Sequence, residues 1–215
     1  MSSGTRIIGV DFDNTLVTYD ELLHTVATQR RLSPASAPKS KKSIRDYVRQ
    51  LPDGEIEWQK LQAIAYGPLI KEAKLIDGVQ AFFELCKRNG VKAYIVSHKT
   101  EFSRYDETRT NLRTAALGWM AANGFFRTDG LGLAHDAVFF SATRQEKIEQ
   151  IRQLGCTHFI DDLEETFLEE SFPVGVERIL YVPHRQSETQ PDMKVVTSWQ
   201  EIGEYFFAAG ESSGN

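Results

Sequence analysis

Val10-Asp11-Phe12-Asp13-Asn14-Thr15 closes a short apolar, β-branched run, Arg6 to Val10, and sets two carboxylates two positions apart at its carboxyl end. A run with near-continuous apolar character reads as a strand buried on both faces. Strand alternation then puts Asp11 and Asp13 on the same side. In open α/β sheets, ligands bind beyond the carboxyl ends of the strands. Two carboxylates at that place repel each other, and a shared hard divalent cation relieves the repulsion, with a substrate phosphate completing its oxygen shell. Asp, Asn and Thr also suit the turn after any strand, so the six residues need support from elsewhere in the chain.

Four more runs of the same kind follow: Val91 to Val96, Ala137 to Phe140, Thr157 to Ile160, and Arg178 to Val182. The first four of the five end at a polar or acidic residue, with room for helices between them, which is the pattern of a parallel, doubly wound α/β sheet. Asp77-Gly78-Val79-Gln80 opens one helix, and Asn89-Gly90 ends it. Thr143-Arg144-Gln145-Glu146 and Ser198-Trp199-Gln200-Glu201 have capping-box spacing and open two more. About 80 residues separate the first two strands, far more than one crossover helix needs, so an insertion is expected. Asp20 to Arg31, Ser43 to Leu51 and Glu55 to Lys74 read as its helices, with Gly67-Pro68 breaking the third. The expected division is a core over 1–17 and 76–209, a small helical insertion over 18–75, and a mobile tail over 210–215. A further helix is predicted from about Glu107 to Asn123.

Three later segments join the first. The second strand ends in Ile95-Val96-Ser97-His98, which offers a hydroxyl and exposed backbone N–H groups where a phosphate would sit; a hydroxyl after a strand is otherwise unremarkable, and His98 is as well explained by a structural hydrogen bond as by substrate contact. Lys147 falls in the first turn of the helix that Thr143 caps, where an ammonium and free backbone N–H groups favour an anion. The helix dipole disfavours a cation there, so a bound anion or nearby carboxylates would account for it. The fourth strand runs into Asp161-Asp162, an acidic pair whose placement after an apolar strand is costly unless a cation offsets it. Acid pair, hydroxyl, lysine, acid pair, each at a strand end or helix start, is far more restrictive than any one of them.

In that order and over most of its length, the chain resembles the haloacid dehalogenase superfamily of phosphohydrolases. Asp11, Asp13 and Thr15 match the first family motif, Ser97 the second, Lys147 the third, and Asp161 with Asp162 the fourth. The resemblance implies a three-layer, Rossmann-like parallel sheet with the insertion as a small α-helical cap. It implies that Asp11 is the nucleophile and carries the phosphoryl group, and that Asp13 is the general acid and base. Magnesium would be held by Asp11, the backbone carbonyl of Asp13, and Asp161, with Asp162 supporting the shell. Ser97 and Lys147 would bind the phosphoryl oxygens, with His98 beside them. Members that cleave carbon–halogen bonds generally lack the second acid, so Asp13 favours phosphate esters. Lys147 lies only 14 residues before Asp161, a short spacing for capped members, so Lys99 or Arg144 could share its role. His24, Arg30, Arg45, Arg49 and Tyr66 in the insertion are recognition candidates, each individually better explained as surface or packing.

A net charge of −5 argues against a non-specific nucleic-acid partner and for a small phosphorylated metabolite. The basic cluster from Lys39 to Lys42 sits among Pro and Ser and reads as a solvated loop. No apolar run approaches the roughly 18 residues a membrane span needs, and a cytoplasmic location is expected. Cys86 and Cys156 are too few for a disulfide framework and read as packing residues. Three other readings stay open: a phospho-acceptor receiver domain, which the order of the acids disfavours, a sugar phosphomutase, and a non-catalytic binding protein. The chain has no heptad pattern that would set an oligomeric state.

Overall fold

The computed structural model describes residues 5–106, 108–183 and 192–208, which form two compact units. Of the described residues, the first unit takes those up to Leu16, Ile76–Lys99 and those from Gly124 onward; the second takes Val17–Leu75 and those of Thr100–Asn123. The segment Thr100–Asn123, expected with the core, thus groups with the insertion. The expected tail over 210–215 lies outside the described residues.

The first unit is a six-stranded sheet, parallel throughout, with β1 (Ile7–Val10), β4 (Lys92–His98), β5 (Val138–Ser141), β6 (His158–Asp161), β7 (Glu177–Tyr181) and β8 (Lys194–Val196) in the order β5-β4-β1-β6-β7-β8. The five strands read from the sequence are all present within one or two residues. The edge strand β8 was not anticipated, because three residues are too few for a period to show. Val10 pairs with Ile95 on one side and Ile160 on the other, so the chain reverses its direction of winding at β1, and the crevice beyond Asp11 is the topological switch point. Gly9 belongs to this contact surface. A Cβ there would stand 2.5 Å from the Phe159 ring, so only glycine lets the strand pack.

Helices cover both faces. On one, α4 (Val79–Arg88) packs against α8 (Trp199–Phe207), with the Phe82 ring 5.0 Å from Trp199 and 5.9 Å from Phe206. On the other, α6 (Arg144–Gln153) and the short α7 (Glu164–Leu168) bury Ile148, Ile151, Phe159, Phe167 and Phe172 with Val96 and Leu180. Each such side chain contributes about 1.5–3 kcal/mol by leaving water. Cys86 and Cys156 are buried free thiols within these layers. Thr143 and Ser198 cap their helices as read, accepting from the N–H of Glu146 at 3.1 Å and of Glu201 at 3.2 Å. The return arm is displaced by one residue from the usual box: Glu146 takes the N–H of Ala142, and Glu201 that of Thr197.

The second unit contains α1 (Asp20–Gln29), α2 (Lys41–Val48), α3 (Gly54–Tyr66) and α5 (Leu112–Ala122), and a two-residue antiparallel ribbon of β2 (Val17–Thr18) with β3 (Lys74–Leu75). Leu22, Leu23, Val26, Ile44, Val48, Trp58 and Leu61 form its buried faces. The ribbon ties the insertion's entry to its exit, and the Trp119 indole donates to Ala73 O at 3.0 Å, which brings α5 into the same unit. Gly67-Pro68 ends α3 as expected, with only a 3-10 turn over Ile70–Glu72 beyond it. Two boundaries moved. Ser40 caps α2, accepting from Ser43 N–H at 3.1 Å, so Lys41 and Lys42 are helical rather than part of the loop. Helix α5 starts at Leu112 instead of near Glu107, itself outside the described residues, because the Asp106 carboxylate takes the N–H groups of Thr108 and Thr110 and Arg109 sits at φ 50°.

Candidate active site

The buried charged residues of the first unit, Asp11, Lys99, Lys147 and Asp161, gather at the carboxyl ends of β1, β4 and β6. Asp11 N–H donates to Ile160 O at 2.9 Å, which extends the ladder one residue beyond β1 and fixes the Asp11 Cα. The chain then turns sharply. Asn14 sits at φ 61°, a conformation Asn tolerates, and Leu16 N–H returns to Phe12 O at 2.9 Å. Thr15 O accepts from the Trp199 indole at 2.9 Å, which anchors the turn to α8. The Thr15 hydroxyl is fully buried and has no hydrogen-bond partner among the described residues.

Lys147 reaches into this crevice from the first turn of α6. Its Nζ donates to Asp11 Oδ1 at 2.6 Å and to Asp161 Oδ2 at 2.8 Å, with all three side chains no more than 7% exposed. The short separation between Lys147 and Asp161 in sequence is no obstacle, since α6 and β6 are consecutive elements. The first-turn N–H groups of Glu146 and Lys147 bond to Thr143 Oγ1 and Thr143 O, so at those two positions the ammonium alone can meet an anion. Burial, the largest influence on Asp11, pushes its carboxyl up to about 6 against the pull of Lys147, and the neighbouring Asp161 and Asp13 add their repulsion. Burial likewise pulls the Lys147 ammonium down, but Asp11 and Asp161 together outweigh it and hold it above the ordinary lysine range.

A second lysine is present at the same end. Lys99 Nζ lies 2.7 Å from Asp13 Oδ2, and its side chain is 2% exposed. The sequence suggested that Lys99 could share the role of Lys147; it pairs with the other aspartate of the first motif. The signal was available in strand alternation, because Ser97 and Lys99 share one side of β4 while His98 faces the other. Ser97 and Lys99 are buried and His98 is exposed, with its Nε2 3.0 Å from Ala142 O. Arg144 does not enter the site: it pairs with Glu169 at 2.8 Å on the surface. Among the insertion candidates, His24 Nε2 lies 3.2 Å from Ala35 O, Arg45 pairs with Asp46, Arg49 with Glu55, and Tyr66 packs against Tyr19 with centroids 4.3 Å apart.

Asp11, Asp161 and Asp162 each offer a carboxylate oxygen, and these atoms lie within 4.8 Å of one another. An all-oxygen set of this size suits a hard divalent cation. The charges agree: the carboxylates of Asp11, Asp13, Asp161 and Asp162 against the ammonium groups of Lys99 and Lys147 leave two negative charges. The Asp13 carboxylate is not part of that cluster and is held by Lys99. Asp161 is itself oriented by Leu163 N–H, which donates to Oδ1 at 3.0 Å.

No protein-family model matches the chain, and no curated protein sequence matches it. Solved structures do match in fold. A haloacid dehalogenase family hydrolase from Deinococcus radiodurans with bound phosphate and sodium aligns over 96% of each chain at 15% identity and a TM-score of 0.53. A predicted phosphoglycolate phosphatase from Haemophilus somnus aligns over 95% of this chain and 100% of its own at 12% identity and TM-score 0.54. An L-2-haloacid dehalogenase aligns over 94% and 99% at 12% identity and TM-score 0.51. The six-stranded parallel sheet flanked by helices is therefore the fold these hydrolases share.

Proposed function

We propose that this chain, with the fold of the haloacid dehalogenase superfamily, is a magnesium-dependent phosphatase of that superfamily acting on a small phosphate monoester. The observation that carries the reading is the buried bridge from Lys147 to Asp11 and Asp161 beside a three-carboxylate cluster at the topological switch point. Asp11, Asp161 and Asp162 would hold the cation, with the backbone carbonyl of Asp13. When bound, it supplies counter-charge to Asp11 and to the phosphoryl oxygens.

With Asp13 entering the cycle in its acid form, an Asp11 oxygen attacks phosphorus, the bond to the leaving oxygen breaks, and that oxygen takes the Asp13 proton. Water then attacks phosphorus, giving its proton to Asp13; the bond to Asp11 breaks, and inorganic phosphate leaves with both carboxyl groups restored. Lys147 orients the Asp11 carboxylate and, with Ser97, meets the charge spread over the phosphoryl oxygens. Burial of the site strengthens each of these interactions. Asp13 supports ester hydrolysis over dehalogenation, since a departing halide needs no proton. The negative net charge fits a small metabolite better than nucleic acid.

Phosphate release from para-nitrophenyl phosphate and a panel of phosphorylated metabolites, with magnesium or chelator, tests the reading against Asp11→Asn. Magnesium-dependent release lost in the variant supports it. Halide release from a 2-haloacid without any phosphatase activity would replace it.

A further inference from the structure

We infer that Lys99 is a positioning residue that keeps the Asp13 carboxylate out of the cation cluster and available for proton transfer; this rests on the phosphatase reading. The two aspartates of the first motif face the same crevice, and both are attracted to any cation bound there. Nevertheless only Asp11 joins Asp161 and Asp162 in the cluster, while Asp13 Oδ2 lies 2.7 Å from Lys99 Nζ. Each carboxylate thus has its own ammonium partner, Lys147 for Asp11 and Lys99 for Asp13.

Lys99 is held firmly. Its N–H donates to Ser141 O at 2.8 Å, continuing the β4–β5 ladder one residue beyond β4 and fixing its Cα. The ammonium lies 5.6 Å from the centroid of the Phe12 ring, and Phe12 is itself fully buried. Taking a lysine out of water is unfavourable unless its partner is well placed, and an apolar residue would fill the same space more cheaply. The pair therefore makes sense as an orienting device. A general acid must keep its carboxyl within hydrogen-bond reach of the leaving oxygen, and a carboxylate drawn onto the cation would lose that reach.

Lys99→Met keeps the stem and removes the charge; Lys99→Arg keeps the charge. kcat/KM reports the steps up to departure of the leaving group. Lys99→Met is expected to lose about 100-fold on an alkyl phosphate, whose alkoxide needs a proton, and less than about fivefold on para-nitrophenyl phosphate, whose phenolate does not. Lys99→Arg is expected to recover most of the alkyl activity. Equal losses on both esters, or a loss confined to KM, would overturn the inference. Crystal structures of wild type and Lys99→Met supply a readout apart from turnover: the Asp13 carboxylate is expected to swing toward Asp11 and Asp161, and an unmoved Asp13 would overturn the inference equally. That comparison holds even where no ester is hydrolysed, an outcome that would retire the phosphatase reading alone. If Lys99→Met does not fold by circular dichroism, Lys99→Gln replaces it in both measurements.

Discussion

The ion pairs of the second unit and those at the strand ends of the first use the same chemistry in opposite settings. Arg45–Asp46 and Arg49–Glu55 have side chains between 34% and 53% exposed, whereas Lys147, Asp11 and Asp161 are at 2%, 7% and 0%. Exposed pairs form in high dielectric and are screened by salt, so they can be lost with little consequence. Buried charges are too costly to be incidental: they persist only where each is met by others, and the group then behaves as one unit. The contrast separates charges that face solvent from charges held as a group, the ones to which the proposed mechanism gives the chemistry.

The strongest challenge to this contrast is Asp11→Asn, expected to reduce phosphate release by about 10⁴-fold or more while the fold survives; a variant retaining a tenth of wild-type turnover would remove Asp11 from the mechanism. Next in size is Lys147→Met, which strands two buried carboxylates. Thermal melts should show a loss of about 3–5 kcal/mol, or roughly 6–20 °C in Tm for a chain of this size, and an unchanged melt would mean that the buried bridge is not a unit. Magnesium at 100 times its Kd should stabilise the protein by about 2.7 kcal/mol, reversed by chelator; identical melts with and without the ion would argue against the tri-aspartate cluster as its site.

Smaller still is the Asp106 loop. Burial, the largest single influence on Asp106, pushes its carboxyl up, but the hydrogen bonds from Thr108 and Thr110 together outweigh it and hold the carboxyl below the usual range. A depressed folded-state value contributes stability that is present above the unfolded value and is lost as pH falls through the folded one. Asp106→Ala should therefore cost about 1 kcal/mol at neutral pH, and the difference from wild type should shrink in acid; a gap that widens in acid would contradict the sign. Arg49→Ala should leave the melt within the scatter of repeats.

How much of this was readable beforehand follows from the length of each signal. Five strands showed because each lies in a run of four or more residues rich in apolar, β-branched or aromatic side chains; β8, with three residues at an edge, and α7, with five, carry too little period to be seen. Thr143 and Ser198 were recognisable caps because the carboxylate three residues on is part of the pattern, although each reached one residue further back than expected. The association of Thr100–Asn123 with the insertion could not be read, since it depends on Trp119 meeting Ala73 across 46 residues. At the site, Asp11, Asp161 and Lys147 were visible as strand-end and helix-start residues. Lys99 was not legible as the partner of Asp13, because it lies one residue past the end of β4, and only alternation carried through His98 puts it on the Ser97 side.

The most direct test of the central claim is to quench the enzyme during turnover of a phosphate ester with magnesium and to map its peptides by mass spectrometry. A phosphoryl group on the Asp11 peptide, absent in Asp11→Asn and lost on further incubation, is the predicted result. Phosphate release with no phosphorylated peptide at any time point, or with the group on another residue, would contradict it.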